Sequence, residues 1–363
     1  MTATRIPFLS LKPGEDAFAV DEAIRLVVDR GWFVLGPEVE AFERAFAEAS
    51  GAAYSVGVGT GTDALVLILK ALGIGRGDEV ITTPVSAAYT ALAVMAVGAR
   101  PVFADIDPER LTIDPAAVEP LVGPSTAAII PVHLYGQPAD MVALSAIAER
   151  HRLAMIEVCC QAHLATSGGR PVGSFSVAAA YSFYPTKNLG ALGDGGAITT
   201  DDASLAARLS RLRNGGQTDR YHHGEPGLNS RLDEIQAAIL SARLGYLPRW
   251  TAARRTLAAV YRRELAGAGV VVPPECDGGH VYHLFPVRSS SRDALKAALG
   301  RAGIETLVHY PVPIPRQPAL ASESPAVCPV ADRVCAEILS LPLHPAMPEA
   351  LAIEVARAVH VAA

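Results

Sequence analysis

The sequence predicts an α/β protein built on a mostly parallel β-sheet with helices on both faces. From about residue 51 to residue 245, short apolar stretches alternate with helical stretches rich in Ala and Leu, which is typical of β-α-β units. The apolar stretches are DEVITT, RPVFADI, AAIIPVHL, LAMIEV, AAAYSF and GGAITT. A chain of 363 residues also exceeds the size, about 250 to 300 residues, at which one hydrophobic core stops growing. A second domain is therefore expected.

Helical segments are predicted on either side of this region. Residues 15–50 show apolar positions at helical spacing around a GWFVLGPE turn, which indicates two lead-in helices. A long stretch from about Arg231 to Ala266, broken near Pro248, is followed by a strand (VYHLFPVR) and a helix (RDALKAALGRAG). We therefore place a boundary near residue 250, between a large domain (1–250) and a smaller C-terminal domain (251–363).

Composition and charge restrict the classes of partner. The formal net charge is −6 and no Lys/Arg run occurs, so the chain offers no electrostatic attraction to nucleic acid or to an anionic membrane. The five cysteines form no CxxC motif and have no metal-ligand spacing, which indicates reduced thiols and no metal site. The start lacks a signal pattern, and no apolar run approaches the roughly 18 residues of a membrane span. We expect a cytoplasmic protein with small-molecule partners.

A glycine-bearing turn leads into an amphipathic helix at GVGTGTDALVLILKALG, Gly57 to Gly73. Thr60 is the expected N-cap. Free amides at such a helix end, with the Thr60 and Thr62 hydroxyls, suit a phosphate group. Taken alone, this pattern more often marks an ordinary capped helix.

The segment YSFYPTKNLGALGDGGAITT is more specific. Lys187 follows a buried strand and precedes a glycine-rich turn, with Ser182 nearby. A lysine in a partly apolar pocket loses its charge more easily, and its free amine can form a Schiff base with an aldehyde cofactor. Without other clues, a solvated loop lysine would be the favoured interpretation.

The segment GLNSRLDEIQAAIL predicts a helix that begins near Asn229. Asn229 or Ser230 is the expected cap, with Asp233 in the first turn. The alternative is that Asn229 and Arg231 point into a binding site, including one on a neighbouring subunit.

These segments, with the late HYPVPI and LSLPLHP stretches, together resemble the DegT/DnrJ/StrS family over nearly the whole chain. The resemblance implies a fold type I transferase dependent on pyridoxal phosphate, with a seven-stranded, mostly parallel sheet and a smaller α/β C-terminal domain. It implies an aminotransferase that moves an amino group, with glutamate as the expected donor, to a nucleotide-linked keto-sugar. Pyridoxamine phosphate would carry the amino group between the two substrates.

The resemblance also assigns site residues. Lys187 would bind the cofactor aldehyde and later move the proton, Gln161 would lie beside the phenolic oxygen, and Asn229 would reach the cofactor phosphate from the partner subunit. Sites built from two chains imply a homodimer. The phosphate ligands within the chain would be Thr60, Gly61, Thr62 and Ser182. Candidate substrate contacts are Trp32, Tyr184, His309 and Tyr310; for Trp32, a buried aromatic is an equal alternative.

The sequence departs from the family pattern at Val158. The family reads Glu-Asp-x-x-Gln-Ala-His, whereas this chain has Glu157 followed by Val158. The missing aspartate pairs with the pyridine nitrogen and keeps the ring protonated and electron-withdrawing. Glu157 should face away from the cofactor, because successive strand side chains point to opposite faces. Two lesser departures are Ala87, where relatives place a stacking phenylalanine, and Pro315, where sugar-converting relatives often have a histidine.

Three functions remain open at this point. The first is a keto-sugar aminotransferase weakened by Val158. The second is a family member with a diverged reaction, and the third is a non-catalytic regulator on the same fold. We interpret His163, Cys159 and Cys160 as packing residues, and His222 and His223 as members of a solvated loop.

Overall fold

The computed structural model describes residues 5–320 and 326–363. The helices are α1 Ala17–Arg30, α2 Pro37–Ser50, α3 Gly61–Ala71, α4 Tyr89–Ala96, α5 Pro115–Val118, α6 Met141–His151, α7 Ala203–Leu212, α8 Glu234–Leu244, α9 Leu247–Glu264, α10 Arg292–Arg301, α11 Pro329–Glu337 and α12 Glu349–Ala362. The strands are β1 Tyr54–Val58, β2 Glu79–Thr82, β3 Arg100–Phe103, β4 Thr126–Ile130, β5 Ala154–Val158, β6 Thr166–Ser167, β7 Arg170–Pro171, β8 Ala178–Ser182, β9 Gly196–Thr200, β10 Gln217–Asp219, β11 His222–His223, β12 Phe285–Arg288 and β13 Ile338–Leu341. In this described part of the chain, no helix has both the length and the apolar character that crossing a bilayer requires.

Seven strands form the main sheet in the order β1-β9-β8-β5-β4-β2-β3. Strands β8, β5, β4, β2 and β3 pair in parallel, whereas β9 runs antiparallel to both β8 and β1. The predicted mostly parallel sheet is therefore confirmed, and the six apolar stretches are six of its strands.

Strand β1 was not anticipated from the sequence. Its residues, YSVGV, include a glycine, which weakens a strand pattern. The structure holds Gly57 in place by side chains from elsewhere: its amide donates to Glu43 Oε1 (2.7 Å) and its carbonyl accepts from Arg213 Nη1 (2.7 Å). Arg213 and Glu43 also form an ion pair. Tertiary contacts therefore stabilise a strand that the local sequence does not announce.

Both faces of the sheet are covered, as the alternation predicted. On one face Ile156, Val158 and Ala180 pack with helix α3. On the opposite face Ala179 and Tyr181 pack with Phe42 and Phe46 of α2 and with other apolar residues. The two lead-in helices, α1 and α2, are where the sequence placed them.

The C-terminal part has its own apolar cluster. Strands β12 and β13 pair antiparallel, and Tyr261, Phe285, Leu299 and Val355 are buried together around them. Helix α9 begins beside the main sheet, where Leu247 is buried, and ends in this second cluster. Pro248 lies in the first turn of α9, so the predicted break near it is confirmed. The domain boundary near residue 250 stays a prediction.

Helix α8 begins later than the sequence suggested. Its N-cap is Asp233, so the expected cap at Asn229 or Ser230 is wrong. Ser230 is engaged elsewhere, because its hydroxyl accepts from the Gly59 amide (2.9 Å) and donates to Asp63 Oδ2 (2.7 Å). The residues before Asp233 therefore run along the sheet edge in an irregular segment instead of starting the helix.

The first residue of α8, Glu234, caps another helix. Its fully buried carboxylate accepts hydrogen bonds from the amides of Gly36 (2.9 Å), Glu38 (3.0 Å) and Val39 (2.8 Å) at the start of α2. A carboxylate at this position satisfies free amides and complements the positive end of the helix dipole. Glu234 thus connects the N-terminus of the lead-in helix α2 to α8 through hydrogen bonds.

Replacing Glu234 by Ala should destabilise the fold, because three amides, two of them in buried hydrogen bonds, would lose a charged acceptor. We expect the free energy of unfolding to fall by about 3 kcal/mol. Chemical denaturation measures it. The control is Glu354→Ala, at an exposed position of α12, which should change stability by about 0.5 kcal/mol or less. Equal stability of the two variants would contradict the capping role.

Candidate active site

The carboxyl ends of β5 and β8 meet the N-terminus of α3 at one point. Val158 and Ser182 are the last residues of β5 and β8. Gly61 is the first residue of α3, and a Cβ atom placed there would lie 2.8 Å from Ser182 Cβ and 3.2 Å from Cys160 Sγ. Only glycine allows this close approach. The sequence therefore places a helix N-terminus directly against the end of a strand.

This helix end forms a cradle for an anion. The predicted N-cap is confirmed, since Thr60 Oγ1 accepts from the Asp63 amide (3.0 Å). The amides of Gly61 and Thr62 belong to the first turn and have no partner within the helix. The half-buried Ser182 hydroxyl lies beside Gly61. Free amides, a positive helix end and a hydroxyl together suit a phosphate group.

Lys187 lies in the tight turn that follows β8. Its amide donates to the Tyr184 carbonyl (2.8 Å), and the next residue, Asn188, donates to the Val281 carbonyl (3.1 Å). Burial of the ammonium group lowers the pKa of Lys187, an effect that nearby Cys160 partly opposes. The solvated-loop alternative is thus not what the structure shows. More of this lysine is present as the nucleophilic amine than of an exposed lysine.

Gln161 is held in a fixed orientation. Its Oε1 accepts from the Tyr135 amide (2.7 Å) and its Nε2 donates to the Tyr310 hydroxyl (3.1 Å). Burial raises the pKa of Tyr310 to about 12, while hydrogen bonds with Gln161 and with the Ala87 backbone oppose the rise. Ala87, Gln161 and Tyr310 therefore come together, with Tyr310 as a neutral phenol.

Glu157 faces away from these residues, as predicted. Its buried oxygens accept from the amides of Gly173 (2.7 Å) and Phe175 (2.9 Å) and from Ser176 Oγ (2.8 Å). His133 Nε2 lies 3.0 Å from the same carboxylate. Glu157 is thus fully engaged on the face of the sheet opposite Val158.

Val158 is fixed in register on the α3 face. Its amide donates to the Pro131 carbonyl (2.9 Å) and its carbonyl accepts from the His133 amide (3.1 Å). The side chain is only 5% exposed and belongs to the apolar cluster of that face. A slip by one residue that would exchange Glu157 and Val158 would break these bonds.

One group of side chains has the spacing of metal ligands. Atoms of His133, Glu157 and Cys159 lie within 4.8 Å of one another. However, His133 Nδ1 already accepts from the Ala139 amide (3.0 Å), and the Glu157 oxygens have the partners given above. Burial raises the pKa of the Cys159 thiol, which keeps it protonated. The group forms a hydrogen-bonded support for β5.

Several candidate residues lie at the margin of the site. Trp32 is 55% exposed, so the buried alternative for it is wrong, and Tyr184 is 51% exposed. Asn229 is also exposed. His309 lines the same cavity as Lys187, and burial and the charge of Lys187 lower the pKa of His309 to about 4. His309 Nδ1 lies 3.0 Å from Ser340 Oγ.

The predicted packing role of His163 fits its surroundings. The ring is fully buried, 5.8 Å from Tyr181 and 5.6 Å from Phe183 between centroids. Among the residues described, neither ring nitrogen has a hydrogen-bond partner. Burial and the charge of Lys187 lower the pKa of His163 to about 3, so the ring is neutral. His222 and His223 are exposed on a short β-hairpin and not on an irregular loop.

The sequence of the chain matches a known family over residues 16–360, the DegT/DnrJ/EryC1/StrS aminotransferase family. The chain belongs to this family. The resemblance inferred from the motifs is therefore confirmed.

Individual relatives in this aminotransferase family are similar over more than nine tenths of their length. The dTDP-3-amino-3,4,6-trideoxy-alpha-D-glucose transaminase of Streptomyces venezuelae is 46% identical over 98% of this chain and 95% of its own. A pleiotropic regulatory protein of Geobacillus stearothermophilus is 47% identical over 93% of this chain and 91% of its own. The crystal structure of S. venezuelae DesV in complex with a ketimine intermediate superposes with a TM-score of 0.95, at 46% identity and 98% coverage of both chains. The fold type I architecture is confirmed.

The site residues of this family member fit two groups of pyridoxal phosphate, its phosphate and its aldehyde. The cradle at Gly61 and Ser182 suits the phosphate, and Lys187, with its lowered pKa, suits the aldehyde. At Val158, the position that the family pattern gives to the partner of the ring nitrogen, the side chain offers methyl groups and no carboxylate to keep the ring protonated.

Lys187 should be the residue that pyridoxal phosphate modifies. After incubation with the cofactor and borohydride reduction, peptide mass spectrometry should find the label on Lys187, and the corresponding peptide of Lys187→Arg should carry none. Only the free amine reacts, and the lowered pKa means that labelling of Lys187 persists to lower pH than labelling of exposed Lys296. Similar labelling of the two lysines at all pH values would contradict this assignment.

Proposed function

We propose that this chain is a pyridoxal-phosphate-dependent aminotransferase that moves an amino group from an amino acid, with glutamate as donor, to a nucleotide-linked keto-sugar in amino-sugar biosynthesis. The observation that carries the proposal is a lysine of lowered pKa beside an anion cradle, in a chain of an aminotransferase family. The similarity to the S. venezuelae sugar transaminase supports the substrate class. The cytoplasmic location expected from the sequence stays a prediction.

Each part of the site has a defined task. The cofactor supplies an electrophilic aldehyde and an electron-withdrawing ring. The Lys187 amine would hold the aldehyde, and its Nζ would serve as the base that accepts a proton from the donor and as the acid that gives it back. The amides of Gly61 and Thr62, with Ser182, would hold the phosphate. Gln161, fixed by Tyr135, would donate to the phenolic oxygen.

Val158 limits how well this chemistry runs. The removal of one partner from a buried charge pair costs about 3 to 5 kcal/mol. Because about 1.4 kcal/mol on the barrier is a tenfold change in rate, transamination would be slower by a factor of roughly hundreds to thousands if the whole cost fell on the transition state. Glu157 offers no compensation, because its hydrogen bonds lie on the other face.

We further propose a homodimer in which each site takes Asn229 from the partner subunit. Trp32, Phe33 and Val34 are exposed apolar residues in a row between α1 and α2, and Tyr184 is exposed beside Lys187. Contiguous apolar exposure next to a site marks an interface. Asn229 is exposed one residue before Ser230, which contacts the first turn of α3, so this edge of the site is open to a second chain.

A second candidate function is a regulator that keeps the fold but not the reaction. The Geobacillus relative named as a regulatory protein favours it. Val158 would then reflect relaxed selection for catalysis. Turnover measurements on a Val158→Asp variant distinguish the two candidates.

Val158→Asp should raise the rate of transamination by on the order of a hundredfold or more, because the carboxylate would keep the ring nitrogen protonated. The measurement is conversion of the cofactor to its amine form by L-glutamate, followed by transfer to a keto-sugar nucleotide. Val158→Asn is the control, since it has nearly the same shape without a charge and should give little gain. No turnover with any keto-sugar nucleotide, even in Val158→Asp, would contradict the proposed function.

Co-expressed Lys187→Ala and Asn229→Ala chains should recover activity that neither variant has alone. In a mixed dimer, one of the two sites would combine an intact Lys187 with an intact Asn229 from the partner. Activity per dimer should return to about a quarter of the parent value, because half of the dimers are mixed. Absence of recovery in verified mixed dimers would show that Asn229 acts within its own chain.

A further inference from the structure

Lys187 lines a cavity of about 510 Å³, and the cradle residues Gly61, Thr62 and Ser182 do not line it. Three segments far apart in sequence surround it: residues 8–16, the 185–190 turn and residues 343–346. Helices α8 and α9 supply Arg243 and Arg254. The volume lies within the range of about 300 to 1,000 Å³ that is typical of small-molecule sites.

Among residues 5–320 and 326–363, no acidic side chain pairs with the buried cation of Arg254. The residue is only 7% exposed, and its Nη1 donates to the carbonyls of Tyr282, His283 and Leu343 at 3.0 to 3.3 Å. Nε has no partner, and among the described residues no carboxylate pairs with the guanidinium. A buried charge of this kind is costly unless something pairs with it.

The acidic residues of the cavity are already committed. Asp16 Oδ2 accepts from Arg243 Nε (2.8 Å), and Glu15 accepts from Trp250 Nε1 (2.7 Å) and pairs with Arg249. Arg254 and the exposed Lys12 are therefore left as cations in excess.

The imidazoles in the cavity carry no negative charge, and the nearby positive charges lower their pKa values. Burial lowers the pKa of His344, and the charge of Arg254 lowers it further. Burial and the charges of Lys187 and Arg254 lower the pKa of His283. These rings are thus neutral at pH 7, and the cavity has a positive potential that favours an anion.

We propose that this cavity binds the carboxylate group of the amino-acid donor, with Arg254 as the buried cation and Lys12 at the entrance. The proposal rests on the proposed aminotransferase function. One edge of a guanidinium matches a planar carboxylate, and a five-carbon dicarboxylic amino acid fits the volume. Its amino group could then approach Lys187, which lines the same cavity.

The binding test uses the protein without cofactor and glutarate, a dicarboxylate that has no amino group to react. Isothermal titration should detect glutarate binding to the parent chain and at least tenfold weaker binding to Lys12→Gln and Arg254→Lys. Lys296→Gln, an exposed lysine on α10, is the matched control and should bind like the parent. Because Arg254 also holds backbone carbonyls, thermal unfolding must show that Arg254→Lys is folded; Lys12 is exposed and tests the proposal independently.

Two outcomes would overturn the proposal. One is equal glutarate binding by the parent, Lys12→Gln and a folded Arg254→Lys. The other is binding of inorganic phosphate in place of glutarate with the same variants affected, which would assign the cavity to a phosphate.

Kinetics of the loaded enzyme separate this inference from the proposed function. In the Lys12→Gln enzyme, KM for glutamate should rise at least tenfold while KM for the keto-sugar nucleotide stays unchanged. Unchanged KM for glutamate with normal turnover would contradict the donor site in the cavity and would still support the aminotransferase function. Glutarate binding that depends on Lys12, without turnover on any keto-sugar, would support the carboxylate site and contradict the proposed function.

Discussion

The approach of Gly61 to the end of strand β8 is the contact on which the rest of the site depends. It brings the first turn of α3 to within a side chain's width of Ser182 and leaves no room for a Cβ atom. The helix dipole and the free amides then point at the carboxyl ends of β5 and β8, where the turn that carries Lys187 begins. A phosphate group and an aldehyde separated by one pyridine ring can thus be held by two adjacent segments of the same sheet edge.

Successive side chains of strand β5 point to opposite faces of the sheet, and this alternation determines whether the site has a carboxylate. Glu157 and Val158 lie on opposite faces, and each is fixed there by contacts that the other could not make. Glu157 organises residues 173–176 and His133, whereas Val158 fills the apolar cluster under α3. The carboxylate is therefore present in the strand but has a structural task on the wrong face. The site retains cofactor-binding features without the charge that would activate the ring.

Periodicity and local motifs were enough to predict most of the sheet, the lead-in helices, the N-cap at Thr60 and the orientation of Glu157. The catalytic role of Lys187 stays a prediction. Strand β1 could not be predicted, because its Gly57 is held by Glu43 and Arg213 from elsewhere in the chain. The cap of α8 was misplaced because Ser230 hydrogen-bonds across the fold, to Gly59 and Asp63, and not to its own helix. The environment of Arg254 could not be predicted from the sequence either. Its cavity joins residues 8–16, α9 and residues 343–346, and no sequence pattern reports that these segments meet.

The central claim is that this site holds pyridoxal phosphate while leaving its ring nitrogen without a charged partner. The most direct measurement is nitrogen NMR of the bound cofactor labelled with ¹⁵N in the ring. The account predicts the chemical shift of a neutral pyridine at pH 7 in the parent chain and that of a pyridinium in Val158→Asp. A pyridinium shift in the parent chain would contradict it, because some group other than residue 158 would then be supplying the missing charge.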